Sequence, residues 1–152
     1  MEGFTINYQL QFAQKNFATL LYRCLNSFKK GSSKEIGLAS HALGLLAVTI
    51  GCGANAHELY REAIHPLSKA FKSAPDTVIQ SILECLAIVT FVGRSNVEET
   101  EKAVKIILGF IHSQSGFKGI ARKHSAAVLT SAISAWSFLL TSIDGWNLSY
   151  NH

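Results

Sequence analysis

The feature that most constrains this chain is an apolar spacing that recurs. Phe17, Leu21, Cys24 and Phe28 are separated by 4, 3 and 4 residues. Tyr60, Ile64, Leu67 and Phe71 repeat that spacing 43 residues on, and Thr100, Val104, Ile107 and Ile111 another 40 on. A 4-3-4 spacing gathers four side chains on one face of an α-helix, whereas in a strand it would scatter them over both faces. A face marked in this way must be buried. Its return at a nearly fixed interval calls for similar units stacked in a row.

Between these helices lie others whose apolar residues follow the period more loosely: Leu43, Leu46 and Ile50, then Cys85, Val89 and Val92, then Leu129, Ile133 and Trp136. Turn signals at Gly31, Gly51 to Asn55, Ser73 to Pro75, Gly93 to Asn96 and Gly116 to Gly119 divide the chain. The helices they predict lie near 14–30, 33–50, 56–72, 76–92, 97–113 and 119–142. No stretch alternates as a strand would. The fold class expected is all-α, a right-handed α-solenoid of HEAT/armadillo-like repeats with about three helix pairs. The chain reads as one domain over 1–152, with an irregular lead-in at 1–13, helix pairs at 14–50, 56–92 and 97–142, and a tail at 143–152.

The stretch from Ser32 to Gly53 is the most apolar of the helices. Ile36, Ala39, Leu43, Leu46 and Ile50 form one stripe, and Leu38, Leu45 and Val48 extend apolar character beyond it, as an inner helix touching two neighbours requires. Gly37 and Gly44 cost a helix about 1 kcal/mol each, which points to the close approach of a partner helix. Gly51 or Gly53 supplies the C-terminal cap. Pro66 falls inside a predicted helix and should bend it near His65, whereas Pro75 should open the helix that follows.

With 152 residues the chain can bury one core, and it is 48% hydrophobic but only 16% charged, against about 25% in typical domains. Cys24, Cys52 and Cys85 are an odd number at irregular spacing in apolar surroundings, which argues against a disulfide framework and for a reducing compartment. The N-terminus lacks the basic and apolar regions of a secretion signal, and the longest uninterrupted apolar runs fall short of a membrane span. An intracellular protein, cytoplasmic or nuclear and without membrane contact, is expected. The sequon at Asn147 is then a chance match.

The residues offer little chemistry. His57 and His65 are eight apart, and Cys52 with His57 forms a metal pair lacking a second pair. The cysteines read as small core residues, and the GCGAN stretch as a loop ending a helix. Glu98, Glu99 and Glu101 open a helix, where the dipole favours negative charge. No catalytic residue, cofactor site or metal site is assigned, and the chain is not expected to be an enzyme.

Charge is arranged more tellingly. In an antiparallel helix array the loops alternate between two edges, and one edge collects Lys29, Lys30, Lys34, Lys69, Lys72, Lys118, Arg122 and Lys123. Dipole complementarity explains Lys29, Lys30, Lys69 and Lys72, which end helices, but not Lys34, Lys118, Arg122 and Lys123, which begin them. This edge is a candidate site for an anionic partner, with an ordinary solvated surface as the competing account. Contact with nucleic acid would be to backbone phosphate, since no aromatic platform accompanies the lysines. The opposite edge carries His57, Glu58, Glu98, Glu99 and Asp144, with Arg94 the exception.

The chain resembles the N-terminal region of the interferon-related developmental regulator family, particularly its plant members. The resemblance rests on NFATLLYRCLNSFKKGSSKEIGLASHALGLLAVTIGCGANAHELYREAIHPLSKAFKS and continues through ILECLAIVTFVG to AWSFLLTSIDGW. It implies an armadillo-like domain without catalysis, in proteins linked to transcriptional co-regulation and, for some members, to ribosomes. Family members are longer, so a truncated or alternatively spliced product is expected. The apolar last helix would then need covering, with Val128, Trp136, Leu139 and Leu140 as the candidate docking face. Expected partners are proteins, with the ribosome or RNA backbone as a further candidate. The alternative is a purely structural docking or self-association module with no anionic partner.

Overall fold

A computed structural model describes the backbone of residues 2–51, 53–114 and 124–150, and the side chains of residues 8–51, 53–112 and 124–142. Among the described residues there are seven helices and no strand: α1 (Glu2–Lys15), α2 (Phe17–Lys30), α3 (Ser33–Ile50), α4 (Ala54–Ala70), α5 (Asp76–Gly93), α6 (Val97–Gln114) and α7 (Ala126–Tyr150). The all-helical expectation holds. Several boundaries differ from the sequence reading: α4 lies two residues earlier, and α7 opens at Ala126 where 119 was expected. The lead-in is helical, the first helix is interrupted at Asn16, and α7 continues through residues assigned to a tail. Thr5, Ile6 and Asn7 are weak helix formers, and α1 rests on packing against α3 that periodicity does not report.

The local chemistry of each break is legible. Gly31 leaves the helix, its N–H still donating to Ser27 O at 2.8 Å, and Ser32 Oγ then accepts from the Glu35 N–H at 3.3 Å to start α3. Gly51, at φ +71°, ends α3 with its N–H on Ala47 O, a conformation that favours glycine. Pro75 stands just before α5 and its carbonyl accepts from the Val78 and Ile79 N–H groups at 3.0 Å. Asn96 Oδ1 accepts from the Glu99 N–H at 3.0 Å and opens α6. α4 runs unbroken through Pro66.

The helices form two layers, α1, α3, α5 and α7 in one and α2, α4 and α6 in the other. Successive helices run parallel from α3 through α5 to α7, and from α4 to α6. Gly37 and Gly44 of α3 face Val78 and Ile88 of α5 in the same order. Asp76 and Arg94 at the two ends of α5 meet Ser125 and Ser142 at the corresponding ends of α7. In the other layer, Tyr60 and Phe71 of α4 meet Glu99 and Phe110 of α6. Between layers the direction reverses: His57 near the start of α4 lies against Gly93 at the end of α5. This arrangement is compatible with a helical-repeat solenoid.

The central element is α5, which packs most extensively against α3, α7 and α4. Ile79, Ile82, Leu83, Leu86 and Val89 are fully buried, together worth on the order of 10 kcal/mol before the entropy of ordering the chain. By length and composition α5 could cross a membrane, which the shorter apolar runs did not indicate, but more than half of it is buried inside the bundle.

The packing corrects two stripes. On α7 the buried row is Val128, Ala132, Ala135 and Leu139, one register away from Leu129, Ile133 and Trp136; Ile133 is exposed. On α3, Leu38, Leu45 and Val48 line surface grooves instead of entering the core, and stand more than half exposed. The close approach expected at Gly37 and Gly44 is to α5. A Cβ there would lie 3.8 Å from Val78 Cγ2 and 3.5 Å from Ile88 Cδ1, ordinary contact that does not demand glycine. Gly93 does demand it, because a Cβ would strike the Ala56 carbonyl and the Tyr60 Cβ of α4.

Gly93→Ala should therefore cost about 1–3 kcal/mol through overpacking. Thr90, one turn earlier, is fully buried with its hydroxyl unpartnered among the described residues, so Thr90→Val should be neutral or stabilising. Denaturant unfolding of both variants tests this; a destabilised Thr90→Val or an unaffected Gly93→Ala would contradict the packing described.

Candidate interaction surface

Parallel layers that run in opposite directions leave two ends to the molecule. One end collects the α2–α3 turn, the α4–α5 turn and the start of α7, and here lie Lys29, Lys30, Lys34, Lys69 and Lys72. All five are exposed and none makes an ion pair among the described residues. Lys118, Arg122 and Lys123 lie outside the described residues.

Two carboxylates share this end, and both are engaged internally. Glu35 is bonded to the N-cap residue Ser32: its N–H donates to Ser32 Oγ, and that hydroxyl donates to Glu35 Oε1, both at 3.3 Å. Asp76 Oδ2 accepts from the Ser125 N–H at 2.8 Å, and its Oδ1 lies 3.2 Å from His124 Nδ1. The His124 side chain is 10% exposed and its ring lies against Phe110, which in turn lies against Phe71. The Ser125 N–H first, and His124 second, hold the Asp76 carboxyl below its usual range. Asp76 ties α5 to α7 while the lysines stay un-neutralised at the rim.

The opposite end is a structural latch. Arg94 Nη1 donates to Ser142 Oγ at 2.6 Å and to Thr100 Oγ1 at 3.3 Å, with its guanidinium 5.2 Å from the Phe91 ring centre. Glu99 Oε1 accepts from the Ser95 N–H at 2.6 Å and its hydroxyl at 2.7 Å. Burial works to raise the Glu99 carboxyl, but the Ser95 donors, with His57 and the Asn96 backbone, together keep it below the usual range. His57 Nδ1 lies 2.8 Å from Gly93 O and 4.0 Å from Glu99 Oε1. Tyr60 donates to Glu99 O at 3.3 Å, and burial with the nearby Glu99 charge pushes its phenol up to about 12. Arg94, the sequence exception, is thus a clamp joining α5, α6 and α7. Asp144's side chain is outside those described.

Among the described residues neither end assembles a nucleophile with a base. Burial pushes up the thiols of Cys24 and Cys85, disfavouring the reactive thiolate; Cys52 is outside the described residues. Among the described residues no three His, Cys, Asp or Glu side chains are placed to hold a metal.

The family model of the interferon-related developmental regulator matches residues 1–151. The chain belongs to that family. No curated protein and no solved structure matches it in the same comparisons. As a member of the interferon-related developmental regulator family, it is a regulatory helical protein.

The remaining site residues fall otherwise than expected. Val128 and Leu139, assigned to a docking face on α7, are fully buried, while Trp136 and Leu140 are half-buried. They face the core because α5 and α6 both pack on that side of α7. Among the described residues of α7, the exposed large apolar ones are Ile133 and Phe138. Sequence reading missed the open row on α3, whose signal was the second stripe of Leu38, Leu45 and Val48 read as core.

The Asp76 tie makes a testable claim about pH. A carboxyl lowered in the folded state stabilises above its unfolded value, near 4, and loses that contribution as pH falls through its folded value. Unfolding midpoints between neutral and acidic pH should fall more steeply for the native chain than for Asp76→Asn. Superimposable profiles would refute the assignment.

Proposed function

We propose that this chain is a non-enzymatic scaffold, built of right-handed HEAT/armadillo-like helix pairs, that acts in the regulation of transcription or translation within the nucleus or cytoplasm. It works by holding partners on its surfaces: proteins on its helix faces, and the phosphate backbone of ribosomal or other RNA on its lysine end. The observation that carries this reading is the placement of Lys29, Lys30, Lys34, Lys69 and Lys72 at one end, exposed and without ion pairs, while Glu35 and Asp76 are spent on internal hydrogen bonds. Helix dipoles account for the lysines that end α2 and those at the end of α4, but Lys34 sits in the first turn of α3, where a positive charge is unfavourable. Family membership supports the regulatory part of the reading.

The test is co-sedimentation of the chain with ribosomal particles over a salt series. Each lysine in contact with phosphate contributes about 0.7–0.9 to the slope of log affinity against log salt. Charge reversal of the five lysines to glutamate should weaken binding and flatten that slope, with helicity by circular dichroism unchanged. Binding that keeps its affinity and slope after reversal, or no binding by the native chain at low salt, would remove the anionic-partner role.

A further inference from the structure

The layer of α1, α3, α5 and α7 has an open face turned away from the other layer. On α3 it carries Leu38, His41, Leu45 and Val48, spaced 3, 4 and 3 along one side of the helix. Leu38, Leu45 and Val48 are 61%, 55% and 60% exposed. Between α3 and α5 this face sinks into a groove, with Leu45 and Val48 on one wall, Glu84 and Ile88 on the other, and Gly44 among its lining residues. A second groove, about 530 Å³ in volume, lies between α5 and α7, and Ser81, Glu84 and Ile88 line both. This second groove is more polar, with Thr77, Gln80, Ser131 and Ser134 in its lining and Phe138 at its α7 side.

Three observations select an occupant. Gly44 is the first: packing against α5 tolerates a Cβ there, so the glycine's helix-destabilising choice is left unexplained by the core, and its effect is a lower groove floor. Glu84 is the second. It is exposed, makes no ion pair among the described residues, and no lysine or arginine lines either groove. Covering this groove would strip water from a carboxylate that the chain itself does not neutralise, so whatever covers it must bring a cation. The third is shape, since α3 and α5 run parallel and line the groove from Ser40 to Val48 and from Ser81 to Ile88, about 12 Å or two helical turns.

We propose that the α3–α5 groove receives an amphipathic helix of a partner protein, with apolar residues on Leu45, Val48 and Ile88 and one lysine or arginine opposite Glu84. A nucleic acid does not fit a surface with a carboxylate and no cation. A second copy meeting through the same face brings no lysine or arginine to Glu84, and His41 is the one basic side chain it could offer there. The inference rests on the protein-binding half of the scaffold reading and is independent of the lysine end.

The experiment is selection from a displayed library of helical peptides of about 18 residues on the full chain, with counter-selection on Leu45→Asp. Enriched peptides should share an apolar face and a basic residue at a common register. For such a peptide, fluorescence anisotropy should show affinity falling at least about tenfold in Leu45→Asp and about fivefold in Glu84→Lys. Replacing the peptide's basic residue by glutamate should restore binding to Glu84→Lys. Gly44→Ala is the variant whose folding is not at risk: it should raise Tm yet weaken the peptide. The proposal is overturned if no peptide distinguishes the native chain from Leu45→Asp, if enriched peptides lack a basic residue, or if Glu84→Lys binds as well. It is also overturned by a concentration-dependent dimer that Leu45→Asp disperses, which would give the groove to a second copy. Reversal of the five lysines should leave peptide binding intact, so failure of the ribosome test and failure of this one are separate results.

Discussion

Everything in this molecule depends on the burial of α5. It touches helices of both layers, and all of it but the side that carries Glu84 is covered: Ile79, Ile82, Leu83, Leu86 and Val89 have no exposed surface. Helices of this length are marginal alone in water, and their stability comes from the faces they bury. The direction of the neighbours follows from the same packing. α3 and α7 lie parallel to α5 in its own layer, and α4 returns antiparallel so that Ala56 and Tyr60 can close on Gly93. A glycine at the end of the central helix is thus what allows the two layers to meet at full contact.

Once the layers are fixed, the two ends of the molecule acquire different chemistry. At one, Arg94, Glu99, Tyr60 and His57 are consumed in holding α4, α5, α6 and α7 together. At the other, Asp76 and Glu35 serve α7 and α3, and the lysines have no internal role. The polar residues that keep the fold and those that face a partner are separated by position rather than by type. Arg94 and Lys34 are both cations beside a helix terminus, yet the first is bound on three sides and the second projects into water.

The helical class was legible because helical periodicity is a statement about one face, and no stretch of the chain alternates as a strand would. The rows of α2, α4 and α6 were read in register: Phe17 and Leu21, Tyr60 and Leu67, Val104 and Ile107 are all buried. α7 was misread by one position because Ala132 and Ala135, which contact the core, carry a weaker apolar signal than Ile133 and Trp136 beside them. Small side chains mark where helices approach; large ones nearby mislead. The exposed side of α3 was misread for the opposite reason: a chain apolar on two sides looks the same whether the second side meets a neighbour or solvent.

The sequence by itself determined the secondary structure class, the buried faces of α2, α4 and α6, and the helix breaks at Gly31, Gly51 and Pro75. These are local, set by spacing and by residues within a turn or two of each other. Only the tertiary structure decided which of two apolar stripes on α3 and α7 is core and that Arg94 and Asp76 are clamps. It alone left Glu84 facing a groove without a cation. Each of those outcomes depends on which side of a helix another helix occupies, and that is settled by contacts between residues tens of positions apart.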